Sequence, residues 1–280
     1  MAYRTLLLHC NDPRRIDGLL AVGVDLAEKF QAHLTGLSVV PPLAVVSTAI
    51  PDGMPVIVDE HCKLYREQNP TMRSAFTRAV RGRAFVSQWR DEEAGAAGVA
   101  ERVLQHARVA DLVITAQTDP QWAGSGWLDI ADRLVIESGR PVLIVANRGA
   151  HAPVGDKVLV AWNARREAAR AVFDALPLLQ RAREVKVVWV NPQSAEERAE
   201  DIPAADICAA LARHGVKCEA TEQAAPRAGV GETLLCRSRD MHADLLVMGC
   251  YGHTRLREFI FGGASRYVLA HMALPVLMAH

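Results

Sequence analysis

An internal repeat of two short apolar segments constrains the fold of this chain most strongly. Residues 111–114 (DLVI) are repeated as residues 244–247 (DLLV), and residues 141–144 (PVLI) are repeated as residues 275–278 (PVLM). The spacing within each pair is also kept, at 30 residues from Asp111 to Pro141 and 31 from Asp244 to Pro275. The chain is therefore predicted to contain two copies of one fold.

The length of the chain agrees with such a duplication. Its 280 residues suit two domains of about 140 residues, which is within the usual range for a domain. Half of the residues are hydrophobic, so each copy can bury a core. Residues 147–155, which contain two glycines and Pro153, are the predicted linker. We expect one domain at residues 1–148 and the other at residues 155–280.

Apolar segments of strand length alternate with segments of helical periodicity through both copies. Strands are expected at residues 5–9, 34–40, 83–89, 112–115, 142–146, 158–163, 185–190, 217–221, 244–248 and 276–278. Helices are expected at residues 14–30, 59–69, 71–80 with a break at Pro70, 95–107, 128–137, 167–181, 202–214, 229–241 and from 263 onward, with an irregular loop at residues 43–58. This alternation predicts an α/β fold in which each domain has a mostly parallel five-stranded sheet with helices on both faces, as in Rossmann-like proteins.

Charge and hydropathy exclude several classes of partner. Lys plus Arg and Asp plus Glu each number 32, and the isoelectric point is near 7.1, so no overall field favours nucleic acid or an acidic membrane. The first eight residues have no basic region or cleavage site and are predicted to be a strand rather than a signal peptide. With no apolar run of membrane-spanning length, we expect a soluble, cytoplasmic protein.

The six cysteines do not predict a metal site or a disulfide framework. They are scattered, with no CxxC pair. His9–Cys10 and His61–Cys62 are adjacent pairs, but neighbouring side chains on a strand point to opposite faces and cannot share one ion.

A glycine-rich stretch near the C-terminus is the strongest functional signal. A buried strand is predicted to end at Gly249, Gly252 follows, and Gly262 and Gly263 stand where a new helix begins. Free backbone N–H groups and the positive end of the helix dipole meet at such a point, which favours an anion and most often a phosphate. The glycines can also serve tight turns alone, and both interpretations are open at this point.

The spacing of these glycines resembles a known signature. The pattern G-x2-G-x9-G-G-x-S, closed by residues 275–278 (PVLM), is similar to the nucleotide-binding motif of the universal stress protein family. The resemblance extends over both halves of the chain and implies two tandem domains of the adenine nucleotide alpha hydrolase-like fold. In that family the glycine loop holds the ribose and phosphates of ATP, and an acidic residue after the first strand holds adenine.

The resemblance implies a site in the C-terminal domain. Val190 and Met248 would flank the base, and His253 and Arg255 could meet a terminal phosphate or oxygens bound to Mg²⁺. The ribose and phosphates would lie along Gly249, Gly252, Gly262, Gly263, Ala264 and Ser265.

Two positions depart from the family pattern. Gly263 stands where Ser or Thr is usual, which removes a hydroxyl but keeps the backbone N–H, so binding is expected to be weaker but not lost. Asn163 stands where Asp is usual. An amide both accepts and donates hydrogen bonds, so Asn163 could bind the edge of adenine, or it could only begin a turn before the next helix.

The first half has lost the glycine pattern. Counting back from Pro141, Leu128 and Asp129 correspond to Gly262 and Gly263. We expect the Asp129 carboxylate to accept the free N–H groups of the following helix and to take the place of a phosphate. Asp119 would add repulsion. The N-terminal domain is therefore predicted not to bind a triphosphate, or to bind a less anionic ligand.

The sequence carries no signature of a metabolic enzyme. It contains no G-x-S-x-G, H-E-x-x-H or G-x-x-x-x-G-K-[ST] motif. We expect a stress-response regulator that binds ATP, with or without Mg²⁺, in its C-terminal domain. The alternative is an interaction scaffold of the same fold that binds no nucleotide. A third hypothesis places an apolar small molecule behind Trp122 and Trp127. The two domains are expected to pack as a pseudo-dimer through their last strands, and the tandem chain to form a homodimer.

Overall fold

The computed structural model places most of the chain. It describes residues 2–41, 44–46, 56–58, 60–122, 124–149, 151–191, 204–224, 229–250 and 263–280.

The N-terminal half alternates strands and helices. Its elements in chain order are β1 Thr5–His9, α1 Ile16–Phe30, β2 His33–Val40, β3 Ala44–Val46, β4 Val56–Val58, α2 Glu60–Val80, β5 Ser87–Glu93, α3 Gly98–Ala107, β6 Leu112–Ala116, α4 Ser125–Leu128, α5 Ala131–Glu137 and β7 Val142–Val145.

The C-terminal half repeats the pattern. Its elements are β8 Lys157–Trp162, α6 Arg166–Asp174, α7 Leu176–Leu179, β9 Glu184–Asn191, α8 Ala204–Arg213, β10 Cys218–Ala224, α9 Val230–Asp240, β11 Leu245–Gly249, α10 Gly263–His271 and β12 Val276–Ala279.

The main strands of both halves belong to one sheet. Its ten strands run in the order β10-β9-β8-β11-β12-β7-β6-β1-β2-β5. Each half contributes five parallel strands to this sheet. If these five are counted in chain order, they lie side by side in the order third, second, first, fourth and fifth. The halves meet where β12 pairs antiparallel with β7, with Leu277 opposite Leu143. The expected packing through the last strands is thus confirmed, but the two predicted five-stranded sheets are joined into one.

Helices cover both faces of this sheet, as predicted. Alternate residues of β1 enter different cores, since Leu6 and Leu8 pack with α1 and α2 while Leu7 packs with α3 and α5. All five residues of β6 are buried, which fits a central parallel strand covered on both sides. The apolar runs of the sequence are therefore explained by burial on two faces.

The repeated aspartates have a structural role in this arrangement. Asp111 Oδ2 accepts hydrogen bonds from the Arg4 and Thr5 amides at 2.7 and 2.9 Å. Asp244 accepts from the Gly155 and Lys157 amides at 2.6 and 3.0 Å. Each aspartate thus ties the loop before β6 or β11 to the start of the first strand of its own half, which accounts for the repetition of this residue.

Two local predictions in the N-terminal half were wrong. The strand expected at residues 83–89 is β5, Ser87–Glu93, because its register is set by pairing with β2, from Leu34 opposite Ser87 to Val40 opposite Glu93. This segment is rich in charged and polar residues (SQWRDEE), which an edge strand tolerates. The loop expected at residues 43–58 contains the short antiparallel pair β3–β4, which is too short to show a sequence period.

Helix breaks were also misplaced. The helix α2 continues through Pro70, since the buried Met72 and Phe76 pack their helical face into the core and offset one lost backbone hydrogen bond. The helix expected at residues 167–181 is divided into α6 and α7, because Pro177 lies in the first turn of α7 and lacks the N–H that a continuous helix needs.

The helix expected at residues 128–137 is interrupted as well. Helix α4 ends at Leu128, α5 begins at Ala131, and Asp129 between them has extended backbone angles (φ −86°, ψ 102°). The contacts of the Asp129 side chain hold this break.

Candidate functional site

The predicted site lies at a topological switch point. Strand β8 has β9 on one side and β11 on the other, so the connections after β8 and β11 leave toward opposite sides of the sheet. Ligands of open parallel sheets bind beyond the carboxyl ends of strands at such points. Asn163 follows β8, and Met248 and Gly249 end β11, so these three predicted residues flank the crevice.

Asn163 takes part in the turn that leads into α6. Its Oδ1 accepts a hydrogen bond from the Arg165 backbone N–H at 3.1 Å, and the residue is exposed. This is the turn that the sequence suggested as one role of Asn163. The predicted contact with adenine is compatible with it, because the amide nitrogen of Asn163 can still donate to a ring nitrogen of the base.

Gly249 is required by the packing of α6 on β11. A Cβ atom at Gly249 would lie 2.5 Å from both the Ala168 nitrogen and the Glu167 carbonyl carbon. These are backbone atoms, which no rotamer change can move away. Gly249 therefore lets the first turn of α6 approach the end of β11.

Val190 and Met248, the two residues predicted to flank the base, are both buried. Val190 on β9 is 8% exposed and Met248 on β11 is 4% exposed, and both belong to the core on the α9 and α10 face of the sheet. Their contact with a base stays a prediction.

The predicted phosphate end of the site is the start of α10. Gly263 is exposed, and no heavy atom of the described residues beyond its chain neighbours lies within 4 Å of its Cβ position, whereas Ser265 is 5% exposed. Gly252, His253, Arg255 and Gly262 lie outside the described residues. The described part of the site is thus Asn163, Val190, Met248, Gly249 and residues 263–265.

The equivalent position in the N-terminal half is filled by an ion-pair cluster. Asp129 Oδ1 lies 2.7 Å from Arg15 Nη2, and Asp129 Oδ2 accepts from the Ser125 hydroxyl at 2.9 Å and from the Asp119 amide at 2.8 Å. The expectation that Asp129 accepts N–H groups of the following helix was wrong, since its carboxylate is directed into the loop and toward α1. That this carboxylate takes the place of a phosphate stays a prediction.

Aromatic and polar groups complete this cluster. The Trp122 ring centroid lies 4.6 Å from Arg15 Cζ and 5.5 Å from Arg14 Cζ, so this ring packs on guanidinium groups and gives no support to an apolar pocket behind it. The Trp127 side chain lies outside the described residues. The pKa of His9 is lowered to about 3 by burial and then by Arg15, so His9 is neutral at physiological pH.

The two helix starts that correspond under the repeat differ in charge. Because Pro275 corresponds to Pro141, Gly263 corresponds to Asp129 and Arg266 corresponds to Asp132. The first turn of α10 contains no acidic residue, and Arg266 is exposed on it. The first turn of α5 contains Asp132 and is preceded by Asp129. The described residues at the start of α10 thus include a cation and no carboxylate, whereas those at the start of α5 include two carboxylates.

Asp132 gives a testable consequence of this charge. Its pKa is raised from 3.8 to about 6 by burial and by Asp129, so the folded protein holds this proton more tightly than the unfolded chain, and stability is lost as pH rises from about 4 through about 6. We expect Asp132→Asn to increase the free energy of unfolding by about 1–3 kcal/mol at about pH 8, and the gain to vanish toward about pH 4. Urea denaturation across this range measures it, with the exposed Asp240→Asn as control. An equal gain at both ends of the range would contradict this assignment.

Sequence reasoning missed several residues of the two sites. Arg15 and Gln117, both in the N-terminal cluster, were not predicted, and neither was Glu167, which is 6% exposed in the first turn of α6 and pairs with Arg166 at 2.6 Å. The spacing of Asp12 and Arg15 by one helical turn was a local signal for an ion pair. Gln117 offered none, because its partner lies 152 residues away.

Comparison with known proteins gives a family match for the C-terminal part of the chain. Residues 155–280 match the model of the universal stress protein family. This part of the chain is therefore similar in sequence to that family. Comparison with curated proteins gave no significant match.

Solved structures share the fold over nearly the whole tandem chain. A universal stress protein from Archaeoglobus fulgidus DSM 4304 aligns with a TM-score of 0.68 at 13% identity, covering 98% of this chain and 97% of that one. A putative universal stress protein from Pseudomonas aeruginosa UCBPP-PA14 gives 0.57 at 14% identity, covering 99% and 93%. The cytoplasmic domain of a prokaryotic cation chloride cotransporter gives 0.54 at 11% identity, covering 98% and 94%.

The tandem α/β fold is thus shared with these structures over nearly the whole chain. In the part of the chain that the structure describes, none of the helices combines the length and apolar character needed to cross a bilayer.

Proposed function

We propose that the C-terminal domain binds an adenine nucleotide, ATP with Mg²⁺ in the first instance, and that the chain acts as a regulatory stress-response factor. The observation that supports this most directly is the charge contrast between Gly263 with Arg266 in one half and Asp129 with Asp132 in the other. A chain that binds phosphate in one half only would carry this contrast.

The described crevice supplies the groups that such a ligand needs. Val190 and Met248 offer an apolar surface to the base, and the Asn163 amide can donate to the adenine edge. The backbone N–H groups at the start of α10 lack helical acceptors and can donate to phosphate oxygens. None of these groups is a nucleophile held by a general base, so we propose ligand binding and regulation, with at most slow hydrolysis, rather than metabolic catalysis.

A substitution at Gly263 tests this proposal. Gly263→Asp introduces the carboxylate that the N-terminal half has at Asp129, at a Cβ position with no heavy atom of the other described residues within 4 Å. A unit charge a few ångströms from the phosphates is expected to weaken ATP binding by about 1.5–3 kcal/mol, or about 10- to 150-fold in Kd. Titration calorimetry with Mg²⁺ and ATP measures this.

Gly263→Ala is the matched control, since it adds a side chain at the same position without charge and is expected to bind ATP within about threefold of the wild type. Equal loss in both variants would indicate a steric rather than an electrostatic effect. Equal binding in the wild type and in Gly263→Asp would place the phosphates elsewhere.

The second candidate function is an interaction scaffold that binds no nucleotide. Two predicted ligand residues have structural roles that suffice to explain them, since Asn163 forms a turn with Arg165 and Gly249 packs against α6. Wild-type protein that binds no ATP at millimolar concentration would favour this function. Association of two tandem chains remains a prediction for either function.

A further inference from the structure

We infer that Gln117, in the N-terminal half, positions helix α10 and thereby tunes the nucleotide site of the C-terminal half. The inference rests on the proposed function, because it concerns the regulation of the same site. Its starting point is a hydrogen bond of 2.6 Å from Gln117 Nε2 to the Leu269 carbonyl oxygen. This bond joins the two halves directly.

This bond gives a donor to one of the carbonyl groups at the C-terminal end of α10. Leu269 is in the last turn of Gly263–His271, where backbone carbonyls have no partner within the helix. The donor comes from the other half and is buried, since Gln117 is 7% exposed. Gln117 therefore acts as a cap that the N-terminal half supplies to this helix.

Gln117 is itself held on every side. Its side-chain Oε1 accepts from the Asn147 amide at 2.9 Å, and its backbone N–H donates to the Val145 oxygen at 2.8 Å. Its own carbonyl oxygen accepts from Arg15 Nη1 at 2.8 Å. All four hydrogen-bonding groups of this residue thus have partners, and these bonds hold the side chain in one position.

The neighbouring linker adds a second contact with the same helix end. A Cβ atom at Gly149 would lie 2.1 Å from the Ala273 carbonyl oxygen, just after α10. The end of α10 is therefore in close backbone contact with the linker as well as capped by Gln117.

The geometry of a helix connects this anchor to the phosphate end. Leu269 is six residues from Gly263, which corresponds to about 9 Å along a rigid helix at about 1.5 Å per residue. If the C-terminal end of α10 shifts or frays, the backbone N–H groups at its N-terminal end move as well. Because Arg15 bonds both Gln117 and Asp129, the ion-pair cluster of the N-terminal half supports the same anchor.

The counterpart of Gln117 in the C-terminal half is Cys250. The backbone of Cys250 donates to the Ala279 oxygen at 3.0 Å, as that of Gln117 does to the Val145 oxygen. A cysteine side chain has no amide group, so it cannot make the bond that the Gln117 side chain makes to Leu269. The half that has lost its own phosphate site thus supports the site of the other half.

The test compares Gln117→Met, which keeps the length of the side chain and removes its polar groups, with Gln117→Glu, which keeps the acceptor for Asn147 and removes the donor to Leu269. Calorimetric titration with Mg²⁺ and ATP and backbone hydrogen exchange of residues 263–271 are measured on each full-length protein. We expect Kd to rise about three- to tenfold in both variants, with exchange in α10 at least about tenfold faster.

Gln180→Met is the matched control. Gln180 Nε2 also donates to a backbone carbonyl, that of His214 at 2.9 Å, but on the exposed surface of the C-terminal half. We expect no change in Kd or in α10 exchange for this variant.

The outcomes separate the two proposals. Wild-type binding that is unchanged in both Gln117 variants would overturn the positioning role and leave the nucleotide site standing. Absence of binding in the wild type would overturn both. Because Gln117→Glu keeps the acceptor for Asn147 and Gln117→Met introduces no charge, the two variants perturb the fold in different ways, and either one that folds suffices for the test.

Discussion

Replacing Gly249 by alanine is expected to destabilise the protein by about 2–4 kcal/mol. The added methyl group would lie 2.5 Å from the Ala168 nitrogen and from the Glu167 carbonyl carbon, well inside van der Waals contact. Both atoms belong to the backbone of α6, so the helix would have to move away from β11. Urea denaturation of the variant measures the loss of unfolding free energy.

Gly263→Ala is the natural comparison for this variant. Within the described part of the chain, the Cβ position of Gly263 meets nothing within 4 Å. Because alanine also favours a helix more than glycine does, we expect a change between zero and a gain of about 1 kcal/mol. Equal stability of the two variants would show that α6 does not press against β11 as described. The same displacement should also weaken ATP binding in Gly249→Ala, since α6 and Asn163 border the crevice.

Removing the carboxylate of Asp129 is the second change with a large expected effect. The side chain of Asp129 is 1% exposed and that of Arg15 is 11% exposed, at a distance of 2.7 Å. Asp129→Ala leaves the buried guanidinium with Asp12 at 3.1 Å as its remaining carboxylate partner and deprives the Ser125 hydroxyl and the Asp119 amide of their acceptor. We expect a loss of about 3 kcal/mol in unfolding free energy, the lower end of the range for breaking a buried pair.

Arg133→Ala provides the control for this prediction. Arg133 and Glu137 form an ion pair at the same distance, 2.7 Å, but with side chains 40% and 36% exposed, so we expect a loss of about 0.5 kcal/mol or less. Thermal unfolding of the two variants in parallel compares them. Comparable losses would mean that the cluster around Asp129 is solvated rather than buried.

A second substitution at Asp129 bears on ligand binding. Removing Asp129 does not rebuild a glycine loop, and Trp122, Arg15 and Asp132 remain in place. We therefore expect Asp129→Asn, which keeps the size of the side chain, to bind no additional nucleotide. A second equivalent of ATP bound by this variant would show that the carboxylate alone had closed the N-terminal site.

The fold was predictable because the signals that set it are local and repeated. The apolar runs at β6 and β11, the aspartates Asp111 and Asp244 and the prolines before β7 and β12 mark each copy of the unit. The errors arose where tertiary contacts decided the outcome. Pairing with β2 placed β5 on a charged segment, and core packing carried α2 through Pro70.

The candidate site was predictable only in part, for the same reason. The glycine spacing and the carboxylate at Asp129 are visible in the sequence. The partners of Asp129 are not, because Arg15 lies on α1, more than a hundred residues earlier, and no periodicity relates the two. Gln117 and Leu269 are a more distant pair still, and only the shared sheet brings them together.

The number of nucleotides bound per chain tests the central claim most directly. Native mass spectrometry of the purified tandem protein with Mg²⁺ and ATP should show one nucleotide per chain, and Gly263→Asp should show none under the same conditions. Two nucleotides per wild-type chain, or one that persists unchanged in Gly263→Asp, would contradict a single phosphate site at the start of α10.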